Sequence, residues 1–314
     1  MHTIGVDVGG TKIAAGVVDG EGNLLVTVRR ETPATDVEAI EEAVADAVRE
    51  LCVGRDVGAV GVAAAGYVDA SRSTVLFAPN LAWRDEPLRA DLERRTGLPV
   101  LVENDANAAA WGEFRYGAAR EVDDMVLLTV GTGLGGGIVL HGNLLRGAYG
   151  IAAELGHVRV VPEGIRCPCG NRGCWEQYAS GSALVREARE LARSSALSAK
   201  ALVELAGGDP DAIEGPMITE AARAGDPAAV ELLADLGRWL GEGTASIAAV
   251  LDPAVVLVGG GVAAAGDLLL DPMREAFRRH LTARGHRPEL AIRPAELGNA
   301  AGMVGAADLA RSLV

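Results

Sequence analysis

The sequence predicts an α/β protein built from two domains, and three features of the chain indicate this class. Apolar runs typical of buried strands alternate with amphipathic stretches typical of helices. Three of the apolar runs end in glycine-rich turns, at 4–12, 127–137 and 255–262. The length of 314 residues suits two domains of ordinary size. We therefore expect two α/β halves with a nucleotide held in a cleft between them.

Composition and charge exclude several classes of protein. With 49% hydrophobic and 23% charged residues, the chain can bury a large core and is not expected to be disordered. A net charge of −14 argues against a nucleic-acid surface and against binding to anionic membranes. The long apolar segment 245–266 is split by Asp252-Pro253, which predicts a helix, a turn and a buried strand. Without a signal-like N-terminus, the expected location is the cytoplasm.

The first glycine turn lies between two predicted strands, Ile4–Val8 and Ile13–Val18. A P-loop instead leads into a helix and has a different glycine spacing. Backbone N–H groups of a glycine turn can approach a phosphate closely because no side chains intervene. Asp7, just before the turn, could hold Mg²⁺ or its water near that phosphate. A plain hairpin with a capping aspartate is the alternative interpretation.

A strand end with one carboxylate and two amides follows further along the chain. A helix with apolar spacing is expected over 36–51, a buried strand over 57–64, and a helix opening at Asp85-Glu86-Pro87 and ending at Arg95. The next strand runs into Asn104, Asp105 and Asn107, which open an alanine-rich helix. A phosphate-binding turn with a carboxylate nearby suggests phosphoryl transfer to a small molecule. An ordinary aspartate is ionised at pH 7 and can act as a base.

The other two glycine turns strengthen this interpretation. The turn at 127–137 repeats the pattern of the first one, which indicates a duplication at the level of the fold. The third turn follows a helix predicted from Asp226, with Pro227 in its first turn, to about Val250. A structural role could explain any single turn, but three together favour a bound nucleotide.

Three of the four cysteines, Cys167, Cys169 and Cys174, fall within one short segment rich in turn residues. Thiolates at this spacing, with His157 as the fourth ligand, suit tetrahedral Zn²⁺. A closed set of four protein ligands leaves no open position, so the metal would be structural. The alternatives are a redox pair or chance clustering. Cys52 stands alone on a predicted helix and is expected to be a small buried apolar residue.

Three motifs together resemble the signatures of the ROK family of repressors, uncharacterised open reading frames and sugar kinases: Asp7–Lys12, Glu154–His157 and Cys167–Glu176. The resemblance runs from Ile4 to about Leu313 and is closest to the glucokinases of actinobacteria. It implies an actin-like ATPase (ribonuclease H-like) fold, with two domains around a central cleft. The implied domains are 1–117 plus 300–314, and 118–299 with a zinc-binding insertion at 157–174.

The resemblance also implies an activity, ATP-dependent phosphorylation of D-glucose to glucose 6-phosphate, and a set of site residues. Asp105 would be the general base that accepts the proton of the sugar 6-hydroxyl, and Mg²⁺ and structural Zn²⁺ would accompany ATP. The implied sugar ligands are Gly66, Asn104, Asp105, Glu154, His157 and Glu176. The implied nucleotide ligands are Asp7, Gly9, Gly10, Thr11, Lys12, Thr132, Gly133, Gly260 and Gly261. The implied zinc ligands are His157, Cys167, Cys169 and Cys174.

Several alternatives stay open at this stage. The family often has Pro-Gly where this chain has Ala65-Gly66, which leaves the shape of the sugar-side loop undetermined. Fructose, mannose, allose or N-acetylmannosamine could replace glucose, and polyphosphate could replace ATP. A ROK repressor would need a DNA-binding domain before Asp7, and we expect none because Asp7 is only six residues from Met1. A homodimer or homotetramer is the expected assembly.

Overall fold

The computed structural model describes all residues, 1–314, and shows two compact units. The first unit contains Met1–Leu127, Gly137–Ala153 and Ala295–Val314, and the second contains Leu128–Gly136 and Glu154–Pro294. Both strands and helices are present in each unit, so the expected α/β class is confirmed. The domain boundaries at 117/118 and 299/300 stay a prediction. The first compact unit differs from the predicted N-terminal domain because it also contains 118–127 and 137–153.

The strands and helices follow one another along the whole chain. The strands are β1 (His2–Val8), β2 (Lys12–Val18), β3 (Leu24–Glu31), β4 (Val57–Ala64), β5 (Tyr67–Val68), β6 (Val75–Phe77), β7 (Arg84–Glu86), β8 (Val100–Asn104), β9 (Met125–Val130), β10 (Leu134–Leu140), β11 (Asn143–Leu144), β12 (Val255–Gly259) and β13 (Ala291–Pro294). The helices are α1 (Val37–Cys52), α2 (Leu88–Thr96), α3 (Asp105–Tyr116), α4 (Gly181–Ser194), α5 (Lys200–Leu205), α6 (Gly215–Arg223), α7 (Pro227–Leu251), α8 (Asp267–His280) and α9 (Ala301–Ala310).

Two five-stranded sheets have matching layouts. The first has the order β3-β2-β1-β4-β8, and the second has the order β11-β10-β9-β12-β13. In each sheet an antiparallel pair forms one edge and a parallel pair forms the other. This match agrees with the duplication that the repeated glycine turns indicate. A third, small sheet, β5-β6-β7, belongs to the first unit.

Helix α1 packs on the first sheet because its apolar residues fall on one side. Ile40, Val44, Val48 and Leu51 are buried in the same cluster as the apolar side chains of β1 and β4. The Asp36 side chain accepts a hydrogen bond from the Ala39 N–H, which satisfies a free donor in the first turn. The predicted helix over 36–51 is therefore confirmed. Cys52, at its last position, is half-buried and packs against this core.

Helix α9 brings the C-terminal end of the chain into the first unit. It packs against α3, β1 and β4. A Cβ atom added to Gly61 in β4 would lie 1.8 Å from the Ala306 carbonyl oxygen, so only glycine permits this close approach of helix and strand. The predicted strand at 57–64 therefore contains a glycine for a packing reason.

The second unit is organised around the 25-residue helix α7. Its first turn has the predicted arrangement, because the Asp226 side chain accepts a hydrogen bond from the Ala229 N–H and Pro227 follows. The helix ends at Asp252 in the left-handed conformation, and β12 follows. This confirms the predicted helix, turn and buried strand. No helix in the protein combines the length and apolar character needed to span a membrane.

The expected start of α2 is wrong. The sequence predicts an N-cap at Asp85 with Pro87 in the first turn, but Arg84–Glu86 form β7, which pairs with β6. Pro87 itself occupies the N-cap position, and α2 begins at Leu88. The physical reason is that a proline disfavours helical geometry in the residue before it, so Glu86 stays extended.

Candidate active site

The junction of β8 and α3 holds the predicted base in a defined position. Asn104 is the N-cap of α3, and its Oδ1 accepts a hydrogen bond from the Asn107 N–H at 3.0 Å. Its Nδ2 donates to the Gly66 carbonyl at 3.1 Å and to Asp105 Oδ1 at 3.0 Å. Asp105 Oδ1 also accepts from the Ala106 N–H at 2.9 Å. The bonds from Asn104 and Ala106 both go to Oδ1 of Asp105. Oδ2 of Asp105 is therefore the oxygen that could accept a proton.

Burial changes the electrostatics of Asp105. Removal from water raises the pKa of its carboxyl group, and the hydrogen bonds from Ala106 and Asn104 oppose that rise. The role expected from the sequence required no raised pKa, because an ordinary aspartate is already ionised at pH 7. A base with a raised pKa holds a transferred proton better than an ordinary aspartate does.

Asp7, near the end of β1, lies close enough to Asp105 for the charge of Asp105 to affect the titration of Asp7. Its pKa is raised to about 6, first by burial and then by the negative charge of Asp105, while Lys12 opposes the rise. The adjoining turn joins β1 to β2, as predicted, with Gly9 N–H donating to the Lys12 carbonyl at 3.0 Å. Thr11 and Lys12 are exposed, and Gly9 and Gly10 are half-buried. The first unit thus brings together Asp7, Gly66, Asn104 and Asp105.

In the second unit, Glu176 is fixed against the second glycine turn. Its Oε2 accepts a hydrogen bond from the Leu134 N–H at 3.0 Å. A Cβ atom added to Gly133 would lie 2.3 Å from the same oxygen, so a side chain there would displace the Glu176 carboxylate. Glu176 belongs to a short 3-10 helix, Trp175–Gln177, that packs against another, Leu155–His157. Glu154, directly before the latter, is half-buried.

The four predicted zinc ligands come together in the second unit. The ligand atoms of His157, Cys167, Cys169 and Cys174 all lie within 4.8 Å of one another. Cys167 Sγ is 3.7 Å from His157 Nδ1, and Cys169 Sγ is 3.6 Å from Cys174 Sγ. Tetrahedral Zn²⁺ with Zn–S bonds of about 2.3 Å places two sulfur atoms about 3.8 Å apart, so the donor set fits this metal. All four cysteines of the chain are free thiols.

A cavity of about 900 Å³ lies entirely within the second unit. Its walls are the glycine turn at Gly131 and Thr132, one face of α4, one face of α6 and the segment Gly261–Val262. Ordered backbone contacts join two of these walls, since Gly181 N–H donates to the Gly131 carbonyl at 2.7 Å. This volume is in the range of small-molecule and cofactor pockets. Thr132 and Gly261 are therefore in one pocket; Gly260 directly precedes Gly261 and packs against Val130.

Sequence reasoning did not find the helix residues of this cavity. They include Ser182, Arg186, Arg189, Thr219 and Arg223. A usable signal was present in α4, where Arg186, Arg189 and Arg193 recur at the spacing of one helix face. The predicted nucleotide residues are divided between the units: Asp7 and Gly9–Lys12 belong to the first, and Thr132, Gly133, Gly260 and Gly261 to the second.

Comparison with known proteins identifies the family. Residues 3–312 match the ROK family, and the chain belongs to it. It is 54% identical to a glucokinase of Streptomyces coelicolor over 98% of this chain and 97% of that one. A ROK family glucokinase from Streptomyces griseus, solved in complex with glucose and AMPPNP, superposes with a TM-score of 0.91 at 56% identity, covering 99% of this chain and 100% of that one. A ROK hexokinase from Thermus thermophilus superposes with a TM-score of 0.84 at 39% identity, covering 100% and 99%. The expected actin-like ATPase fold is thereby confirmed.

Proposed function

We propose that this protein is a glucokinase, which transfers the γ-phosphoryl group of ATP to the 6-hydroxyl of D-glucose. The observation that carries the proposal is the β8–α3 junction, where Asp105 is held by one oxygen and keeps the other for a substrate proton. The likeness to the Streptomyces glucokinases, one of them with glucose and the ATP analogue AMPPNP, supports the same activity. EC class 2.7.1.2 describes this reaction.

On the sugar side, each proposed ligand has a distinct task. Asp105 accepts the proton of the 6-hydroxyl while that oxygen attacks the γ-phosphorus, and ADP leaves with the electrons of the broken bond. Asn104 and Gly66 support Asp105 on one side of the sugar. Glu154, Glu176 and His157 are proposed to bind the remaining hydroxyl groups. A buried acceptor that loses its partner in an epimer costs about 1–3 kcal/mol, which is the basis of selectivity.

On the nucleotide side, the cavity of the second unit is the proposed site of the base and ribose. Thr132, Gly133, Gly260 and Gly261 would supply backbone N–H groups to the phosphates, as would Gly9, Gly10, Thr11 and Lys12 from the first unit. Mg²⁺, when bound, neutralises charge on the phosphate oxygens. Carboxylate oxygens suit this cation, and Asp7, whose pKa is about 6, is mostly ionised at neutral pH.

Zn²⁺ is proposed as a structural metal on His157, Cys167, Cys169 and Cys174. Because Nδ1 of His157 is the nitrogen beside Cys167, its Nε2 is the one available for a sugar hydroxyl. Two further inferences concern the whole protein. The net charge of −14 supports an absence of nucleic-acid or membrane partners, and we expect a cytoplasmic homodimer or homotetramer, measurable by light scattering.

An initial-rate panel tests the proposed function. The purified protein is assayed with glucose, fructose, mannose, allose and N-acetylmannosamine, using MgATP and separately polyphosphate as donor. We expect the highest kcat/KM with glucose and MgATP. A higher kcat/KM with another hexose would redirect the assignment to that sugar, and a preference for polyphosphate would overturn ATP as the donor.

A further inference from the structure

Glu103, the residue directly before Asn104 and Asp105, is a fully buried carboxylate. A buried charge is costly unless other charges and hydrogen bonds compensate it. Here two guanidinium groups meet one of its oxygens: Arg72 Nε lies 2.9 Å and Arg146 Nε lies 2.8 Å from Oε2. Arg72 donates a directed hydrogen bond, whereas the Arg146 contact is an ion pair in which the Nε–H is not aligned with the oxygen.

The second oxygen of Glu103 is turned to the start of α3. Oε1 accepts the backbone N–H of Asn104 at 3.0 Å and the side-chain Nδ2–H of Asn107 at 3.2 Å. It therefore contacts the residue before Asp105 and a residue two positions after it. Together with the Asn104 cap, these bonds fix the rotation of the first turn of the helix.

The two arginines extend the network to the loop after β5. Arg146 donates from its Nη atoms to the carbonyls of Ala70 and Asp69, at 2.8 Å each. Arg72 accepts a backbone hydrogen bond from the Val102 N–H at 3.1 Å. The loop, residues 69–72, lies three residues beyond Gly66, whose carbonyl is itself bonded to Asn104. The Glu103 carboxylate thus connects the end of β8, the first turn of α3 and, through the two arginines, the loop 69–72.

We propose that Glu103 is a positioning residue for phosphoryl transfer and acts through Asp105. The inference rests on the proposed role of Asp105 as the base. A displacement of about 1 Å at a reacting group can lower the rate about 10²-fold, so the first turn of α3 must be held closely. Replacing Glu103 by glutamine keeps its size but removes the charge that faces two guanidinium groups, and the network must rearrange.

Glu113, near the C-terminal end of α3, provides a matched control. It is also fully buried, and its carboxylate accepts backbone N–H groups of Ala118, Glu296 and Leu297 at 2.7–3.0 Å. These contacts lie at the C-terminal end of α3. Both Glu103→Gln and Glu113→Gln are expected to lower the melting temperature, because each disturbs a buried network. Only Glu103→Gln is expected to lower kcat, by roughly 10- to 100-fold.

A double-mutant cycle separates positioning from general damage. If Glu103 acts through Asp105, then Glu103→Gln has a large effect in the wild-type background and changes kcat less than 2-fold in Asp105→Asn. Asp105→Asn alone is expected to cost roughly 10² to 10⁴ in kcat while glucose binding by calorimetry persists. An equal fold-loss from Glu103→Gln in both backgrounds, or a kcat equal to that of Glu113→Gln, would overturn the proposal.

Two further measurements keep the test decisive. If Glu103→Gln does not fold, Arg72→Gln removes one arm of the network at a partly exposed position, and a kcat loss of roughly 3- to 10-fold with a similar glucose KM is expected. An unchanged kcat in folded Arg72→Gln would then refute the inference. Near-normal turnover in Asp105→Asn would instead refute the proposed base, so the two failures are distinguishable.

Discussion

The pair Asp7 and Asp105 sets the pH response of the protein at the scale of single residues. Burial raises the pKa of both carboxyl groups, and the charge of Asp105 adds to the rise at Asp7, whose pKa reaches about 6. The roles proposed for Asp7 and Asp105 need the ionised forms, so we expect activity to be lost as pH falls through their pKa values. Folding has the opposite dependence: a raised carboxyl pKa gives stability that is present at low pH and is lost as pH rises through the folded-state pKa.

The resulting prediction concerns the pH profile. We expect kcat/KM for MgATP at saturating glucose to fall at least tenfold per pH unit below about pH 6, because Asp7 becomes protonated there. Carbon-13 NMR of labelled aspartate in the ligand-free protein provides an independent check. Because Asp105 raises the pKa of Asp7, the variant Asp105→Asn should lower that pKa. A flat rate profile down to pH 5, or an unchanged Asp7 titration, would contradict this account.

At the scale of elements, the segment 157–174 would connect the proposed zinc ion to the proposed sugar ligands. Cys174 is followed two residues later by Glu176, and His157 lies three residues after Glu154. Glu176 in turn is bonded to the glycine turn through the Leu134 N–H. Metal ligands that are held in this way orient neighbouring side chains as well as themselves.

Replacing one thiolate tests this connection. In Cys169→Ser we expect loss of Zn²⁺, a lower melting temperature and a glucose KM raised roughly 10-fold or more. Nucleotide affinity measured without sugar should barely change. Cys52→Ser, in α1 and outside the cluster, is the control and should keep both Zn²⁺ and KM. Zinc content, melting temperature and KM are the measurements; an unchanged glucose KM in zinc-free, folded protein would mean that the metal only stabilises a loop.

Three acidic side chains have oxygens within 4.8 Å of one another: Glu41 in α1, Glu86 in β7 and Asp91 in α2. Only Glu41 is fully enclosed, and Arg95 pairs with it at 3.1 Å. Burial, followed by the charge of Glu41, raises the pKa of Glu86 to about 7. A raised carboxyl pKa means that the protonated form stabilises the fold, and this contribution is lost as pH rises through 7.

Glu86→Gln should therefore stabilise the protein in alkaline solution. We expect its melting temperature to exceed that of the wild type by roughly 1–3 °C at pH 8 and by much less at pH 5, which is close to the unfolded pKa of a glutamate. Glu38→Gln, an exposed position on the same helix as Glu41, removes an equal charge and should lack this pH dependence. Scanning calorimetry at both pH values decides the matter; equal shifts at pH 5 and pH 8 would rule out repulsion within the cluster.

At the scale of the whole molecule, the first unit is completed by the end of the chain. Helix α9 lies against α3 through a contact in which a Cβ atom added to Gly305 would be 1.7 Å from the Ala108 carbonyl oxygen. The same helix carries Gly302, where an added Cβ would meet its nearest atom, Asp7 Cγ, at an ordinary 3.5 Å. A side chain at Gly305 would therefore force the two helix backbones apart, whereas Gly302 has room for a methyl group.

Gly305→Ala and Gly302→Ala form a matched pair. We expect Gly305→Ala to lower the free energy of unfolding by about 1–3 kcal/mol or more, because two backbones must separate. Gly302→Ala should be neutral or slightly stabilising, since alanine favours a helix over glycine by about 1 kcal/mol. Urea denaturation monitored by circular dichroism measures both, and equal destabilisation of the two variants would contradict the close packing of α9.

The sequence by itself predicted the strands beside the glycine turns, the strand at 57–64, the long helix from Asp226 and the clustering of four possible zinc ligands. These features depend on residues that are neighbours in the chain, so spacing, capping residues and donor chemistry are sufficient to predict them. The sequence also indicated a candidate site at Asn104 and Asp105, because the two residues are neighbours at a predicted strand end. The start of α2 was predicted wrongly although a local rule covers it, because the proline after Glu86 keeps that residue extended.

Only the tertiary structure decided the pKa values of the site carboxylates and the contacts that hold the site residues in place. Burial, which depends on the whole fold, raised the pKa of Asp105 and Asp7. The network of Glu103 draws on Arg72 and Arg146, which are far away in the sequence. The arginine-lined cavity requires α4 and α6 to face the same glycine turn, and α9 must return to the first sheet. Desolvation and contacts between distant residues arise when the chain packs, and the spacing of neighbouring residues does not encode them.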